Sequence, residues 1–84
     1  MRLEPPSRAE VERQFEGLLS GAVGRDEVDR WAGRYFREDV EVGDPVVRTA
    51  LDRLYGVDLR DGPGAEYLHG LEQVAEWLDE LKSG

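Results

Sequence analysis

Val28, Trp31, Ala32, Tyr35 and Phe36 recur at i, i+3, i+4, i+7 and i+8. That spacing puts all five on one side of an α-helix but scatters them over both faces of a strand. It commits residues 25–38 to a helix with one dry face, and Asp26 and Glu27 suit its positive N-terminal end. Three more stripes keep the same period. Val11, Phe15, Leu18, Leu19 and Ala22 predict a helix over 7–20. Val47, Ala50, Leu51, Leu54 and Tyr55 predict one over 45–55. Leu71, Val74, Leu78 and Leu81, with Trp77 at the border as a core residue, predict one over 70–82.

The punctuation agrees with the stripes. Ser7-Arg8-Ala9-Glu10 is a capping box, in which the serine hydroxyl accepts the Glu10 amide and the carboxylate reaches back. Gly21 and Gly24 close the first helix, and Asp44-Pro45 opens the third, with Asp as N-cap and Pro where a missing amide does no harm. Gly56 suits the left-handed residue after that helix, with Val57 packing back. Residues 58–66 hold Gly62-Pro63-Gly64 and read as an exposed loop. Gly33, inside the second helix, costs about 1 kcal/mol relative to Ala. It either admits another backbone closely or is tolerated on the polar side, and tolerance is the reading adopted. The only strand-like alternation, Asp39 to Val42, is too short to build a sheet. Each amphipathic stripe needs a facing stripe, so an all-α, compact four-helix bundle in a single domain over residues 1–84 is expected.

Charge and composition restrict function. The 84 residues contain no cysteine, which removes disulfides, thiolate metal sites and thiol nucleophiles and points to a cytoplasmic home. Residues 1–20 lack a continuous apolar run, so a soluble, unprocessed chain with no membrane partner is expected. A net charge of −8 repels a phosphate backbone at long range and favours basic partners. Arg30, Arg34 and Arg37 do form a stripe on the second helix. However, Asp26 precedes Arg30 and Glu38 follows Arg34 at four-residue spacing, so intrahelical pairing accounts for most of it. With a long connection to the third helix as well, no nucleic-acid partner is expected.

Catalytic chemistry is thin. Ser7, Ser20, Ser83 and Thr49 are caps, termini or polar-face residues without an obvious base. His69 is the only imidazole, and no glycine-rich phosphate loop is present, so no metal or other cofactor is expected. The fourth helix carries a more distinctive pattern. Glu72, Glu76, Asp79 and Glu80 fall within roughly a 100° arc, with like charges four residues apart and two of them opposing the helix dipole. An arginine from a neighbouring helix would offset part of this; a docking surface for a cationic partner would exploit it.

Leu18-Leu19-Ser20-Gly21, Arg25-Asp26-Glu27-Val28-Asp29-Arg30-Trp31-Ala32 and the closing Trp77-Leu78 resemble a pattern in short acidic helical proteins of actinobacteria. Gly24 departs from it, a serine cap being usual there. More loosely, size, charge and fold class are similar to those of bacterial immunity proteins, and that likeness implies an inhibitor of a basic toxin. The expectation is therefore a non-enzymatic, acidic protein-binding module, with Glu72, Glu76, Asp79, Glu80, Asp61 and Glu66 at the contact. The alternative is a small hydrolase or ligand-binding protein using His69 and loop carboxylates.

Overall fold

Each stripe becomes a helix whose ends lie where the capping chemistry puts them. The computed structural model describes residues 3–57 and 70–84. It contains α1 (Arg8–Ser20), α2 (Arg25–Arg37), α3 (Pro45–Leu54) and α4 (Leu71–Ser83), with no strand among the described residues. These bounds fall within one residue of the expected ones. At α1 the Glu10 amide donates to Ser7 Oγ at 3.1 Å, but the carboxylate returns to the hydroxyl, at 3.4 Å, rather than to the backbone. At α3 the Val46 amide donates to Asp44 Oδ1 at 2.9 Å. Gly56 takes φ 93° and Val57 is fully buried, the expected helix stop.

The end of α2 is less ordinary. The Val40 amide donates to the Tyr35 carbonyl at 2.9 Å and the Asp39 amide to the Phe36 carbonyl at 3.2 Å, the paired bonds of a Schellman stop. Its left-handed position is held by Asp39 at φ 52° where glycine is the usual occupant. Asp39→Gly is therefore expected to stabilise the fold by about 0.5–1 kcal/mol, a few degrees in Tm. Thermal denaturation reads this, and an unchanged or lower Tm would mean that the Asp39 side chain contributes something of its own.

α1 and α3 touch each other and both remaining helices, whereas α2 and α4 pack on that central pair and not on one another. The bundle is thus rhombic in section, with α2 and α4 at its far corners. Val11, Phe15, Val28, Ala32, Leu51, Leu54, Val57, Val74 and Leu81 form the centre of one apolar cluster to which all four helices contribute. Trp77 is buried in it, 8% exposed, as the stripe predicted. Among the described residues no helix is long and apolar enough to cross a membrane.

Gly33 corrects the sequence reading. It is buried, not on a solvated face: a Cβ there would lie 3.3 Å from Tyr55 Cε1 and 3.2 Å from Arg37 Nη1. A side chain, not a backbone, makes the close approach, because the missing Cβ lets the Tyr55 ring lie on α2. The other end of the same seam is polar. Asp29 Oδ1 accepts the Gly56 amide at 2.6 Å and Arg25 Nη1 donates to the Val57 carbonyl at 3.0 Å, so two residues one turn apart on α2 hold the end of α3.

Arg8 closes the bundle at the opposite end of the chain. Its guanidinium donates to Asp44 Oδ2 and to the Gly84 carbonyl, each at 2.9 Å, joining the starts of α1 and α3 to the end of α4. The hydrogen bond from Arg8, then that from the Val46 amide, holds the Asp44 carboxyl below its usual 3.8. Since the folded value is the lower one, this stabilisation is complete above the usual value and is lost as pH falls through the lowered one. The Tm gap between the parent and Asp44→Asn, which keeps a capping side chain, should be widest above about pH 4 and close in stronger acid. Melts at neutral pH and in acid measure it.

Candidate functional site

Glu72, Glu76, Asp79 and Glu80 are all exposed on α4, as their arc requires. Two local contacts temper their mutual repulsion. Arg53, from α3, forms an ion pair with Glu80 while its guanidinium lies 5.5 Å over the Trp77 ring, and Gln73 donates to Glu76 at 3.3 Å. The neighbouring-helix arginine that would offset the charge is therefore Arg53. Asp61, Glu66 and His69 lie outside the described residues.

A second charged face has the opposite sign. From Arg30 to Arg37 the chain holds three arginines and no acidic residue. At 100° per residue these three fall within an arc of about 60°, on the side of α2 away from Val28, Ala32 and Tyr35. All three are exposed. The intrahelical pairing expected of them is half formed: Arg30 reaches Asp26 at 3.5 Å with both side chains more than two-thirds exposed, an arrangement that contributes little. Arg34 and Arg37 make no ion pair among the described residues. Because α2 and α4 do not touch, this face is separated from the acidic one by the central helix pair.

Beside Arg37 lies an aromatic pair that the sequence assigned to the core. Phe36 and Tyr55 are 38% and 50% exposed and stack with ring centroids 4.9 Å apart and planes at 22°. Phe36 sits at the edge of the α2 stripe and Tyr55 is the last residue before Gly56, and edge and end positions were the available signals that burial would be incomplete. Arg37 and Tyr55 both border Gly33. On the far side of Phe36 a cleft of about 380 Å³ opens between the end of α2, residues 39–42 and α3, with Arg48, Asp39 and Glu41 as its charged lining. Arg37, the stacked rings and the cleft adjoin one another on the α2–α3 side of the bundle, while Arg30 and Arg34 lie further round α2.

Comparison with known proteins decides the lineage. Residues 4–81 match a family described as YxzC DNA-binding protein. The chain belongs to the YxzC DNA-binding protein family. It is similar to the uncharacterised protein YxzC of Bacillus subtilis strain 168, with 33% identity over 79 residues. That alignment takes in 93% of this chain and 64% of the Bacillus protein, so the chain spans somewhat less than two-thirds of its relative. No solved structure matches it.

Membership of the YxzC family overturns the resemblance to actinobacterial acidic proteins and the looser one to immunity proteins. The residues that carried the first are caps and packing positions: Leu18, Val28, Ala32, Trp77 and Leu78 are buried and Gly21 ends α1 at φ 83°. Any small helical domain needs such residues, so they report burial and not descent. The protein-binding module, the inhibitor of a basic toxin and the basic protein partner fall with it, as does the exclusion of nucleic acid. The hydrolase or ligand-binding alternative has no support either. The physical reason is that net charge is not the field a ligand meets at one face. Screening at 0.1 M salt limits exposed charges to about 10 Å. A phosphate at α2 is governed by the arginines there and not by carboxylates on α4. The α4 acidic residues remain a solvated face with no ligand assigned.

Proposed function

We propose that this chain is a non-enzymatic, cytoplasmic DNA-binding protein whose contact surface is the outward face of α2 with the adjoining Phe36–Tyr55 seam. The observation that carries the reading is the exposed stripe Arg30, Arg34 and Arg37, of which only Arg30 has an acidic partner among the described residues. Arg48 adds a fourth exposed arginine at the cleft, which Asp39 and Glu41 also line. Family membership supplies the ligand class.

The geometry is not that of a recognition helix entering a groove by its tip. Such a helix presents its N-terminal residues to base edges. Here those residues are Arg25, whose guanidinium is turned to the Val57 carbonyl, and Asp26 and Glu27, which repel phosphate, whereas the arginine stripe occupies the later turns. Contact along the helix side, mainly to phosphate, is the mode that fits. With about four arginines engaged, the logarithm of the binding constant should fall against the logarithm of salt with a slope of roughly −3 to −4. Fluorescence anisotropy of labelled DNA from about 0.05 M to 0.3 M salt measures this. Absence of binding at the lowest salt would overturn the reading.

A further inference from the structure

We infer that the ligand of this face is unpaired DNA, with bases stacking on the Phe36–Tyr55 pair while the phosphate chain passes Arg37 beside it and turns round α2 to Arg30 and Arg34; this rests on the DNA-binding reading above. Three observations lead to it. The first is the exposed stacked pair itself. Apolar ring surface open to water gains by being covered, and a nucleobase offers a flat face of matching chemistry whatever its sequence. Bases inside a duplex are already stacked and present only their edges.

The second is the length of the cationic stripe. Arg30 to Arg37 spans about 10 Å along the helix, which is only about three phosphates of a B-form strand. Asp26 and Glu27 precede the stripe, and Glu38 and Asp39 follow it, all exposed. A stiff duplex laid along α2 would be carried onto carboxylates at both ends, whereas a flexible single strand can turn away after a few nucleotides. The third is the cleft beside Phe36. Its volume of about 380 Å³ and its polar lining of Arg48, Asp39 and Glu41 provide hydrogen-bonding groups next to the aromatic platform, where an unstacked base can use them.

The test compares a labelled dT oligonucleotide of about 12 nucleotides with a duplex of equal length, by anisotropy at low salt, for the parent, Phe36→Leu, Tyr55→Leu and Tyr55→Phe, each checked for helicity. The expected result is single-strand binding at least about tenfold tighter than duplex binding. It should be weakened about tenfold by either leucine, which keeps apolar volume but removes the ring, and retained in Tyr55→Phe. Equal or tighter duplex binding, or single-strand binding indifferent to both leucines, would overturn this inference while leaving the DNA-binding reading intact. No binding to either DNA would overturn both.

Discussion

Replacing Arg30, Arg34 and Arg37 together by glutamine is expected to weaken DNA binding about 100-fold at 0.1 M salt and to flatten the salt dependence by two to three units of slope. The magnitude follows from counter-ion release. Each phosphate neutralised contributes a slope of about −0.7 on a single strand and about −0.9 on a duplex. At 0.1 M this is a factor of roughly five to eight per contact, and three contacts multiply to about a hundred or more. Stability should change little, because all three side chains are exposed and only Arg30 has an ion-pair partner among the described residues. Glutamine keeps helix propensity, so circular dichroism separates loss of charge from loss of fold. A parallel triple substitution of Glu72, Glu76 and Asp79 to glutamine should leave DNA affinity nearly unchanged, since α4 lies at the opposite corner of the bundle from α2. If the arginine variant retained parental affinity and slope, the assigned face would be wrong even if the chain binds DNA.

Phe15→Ala is expected to bring the domain close to unfolding at 25 °C. Phe15 is fully buried on α1, which packs against all three other helices. Truncation of a buried Phe costs about 3–5 kcal/mol through lost transfer energy and the cavity left behind. A domain of this size has a total stability of about 4–13 kcal/mol, and small cores lie toward the lower end of such a range. At roughly 4–8 °C per kcal/mol, Tm should fall by on the order of 20 °C. Phe15→Leu fills most of the volume and should lose less than half as much. Urea titration followed at the helical band would measure both, and a loss under about 1 kcal/mol for the alanine variant would mean that Phe15 does not organise the core.

Much of the fold was legible because its determinants are local. A capping serine three residues before a glutamate, an Asp-Pro pair, a glycine after the last apolar position and a 3.6-residue period each act within one or two turns. The site was legible only in part. Arg30, Arg34 and Arg37 could be placed on one face from spacing alone, and their four-residue neighbours of opposite sign then suggested a neutralisation that formed only at Arg30. A favourable spacing permits an ion pair; it does not supply the energy to order two exposed side chains. Phe36 and Tyr55 were placed in the interior because both fit an apolar stripe. Their exposure depends on how far α3 overlaps α2, which Gly33 sets by admitting the Tyr55 ring.

The amino-acid order by itself determined that this chain is four helices with one dry stripe each and where each begins and ends, since backbone hydrogen bonding and side-chain periodicity are decided among near neighbours. Only the tertiary structure decided how the two charged faces lie relative to each other. Packing α1 against α3 pushes α2 and α4 apart, and that separation turns a chain of net charge −8 into a molecule with a distinct arginine face. Electrostatics at a binding surface depends on distances within about a screening length, and those distances are set by helix packing rather than by composition.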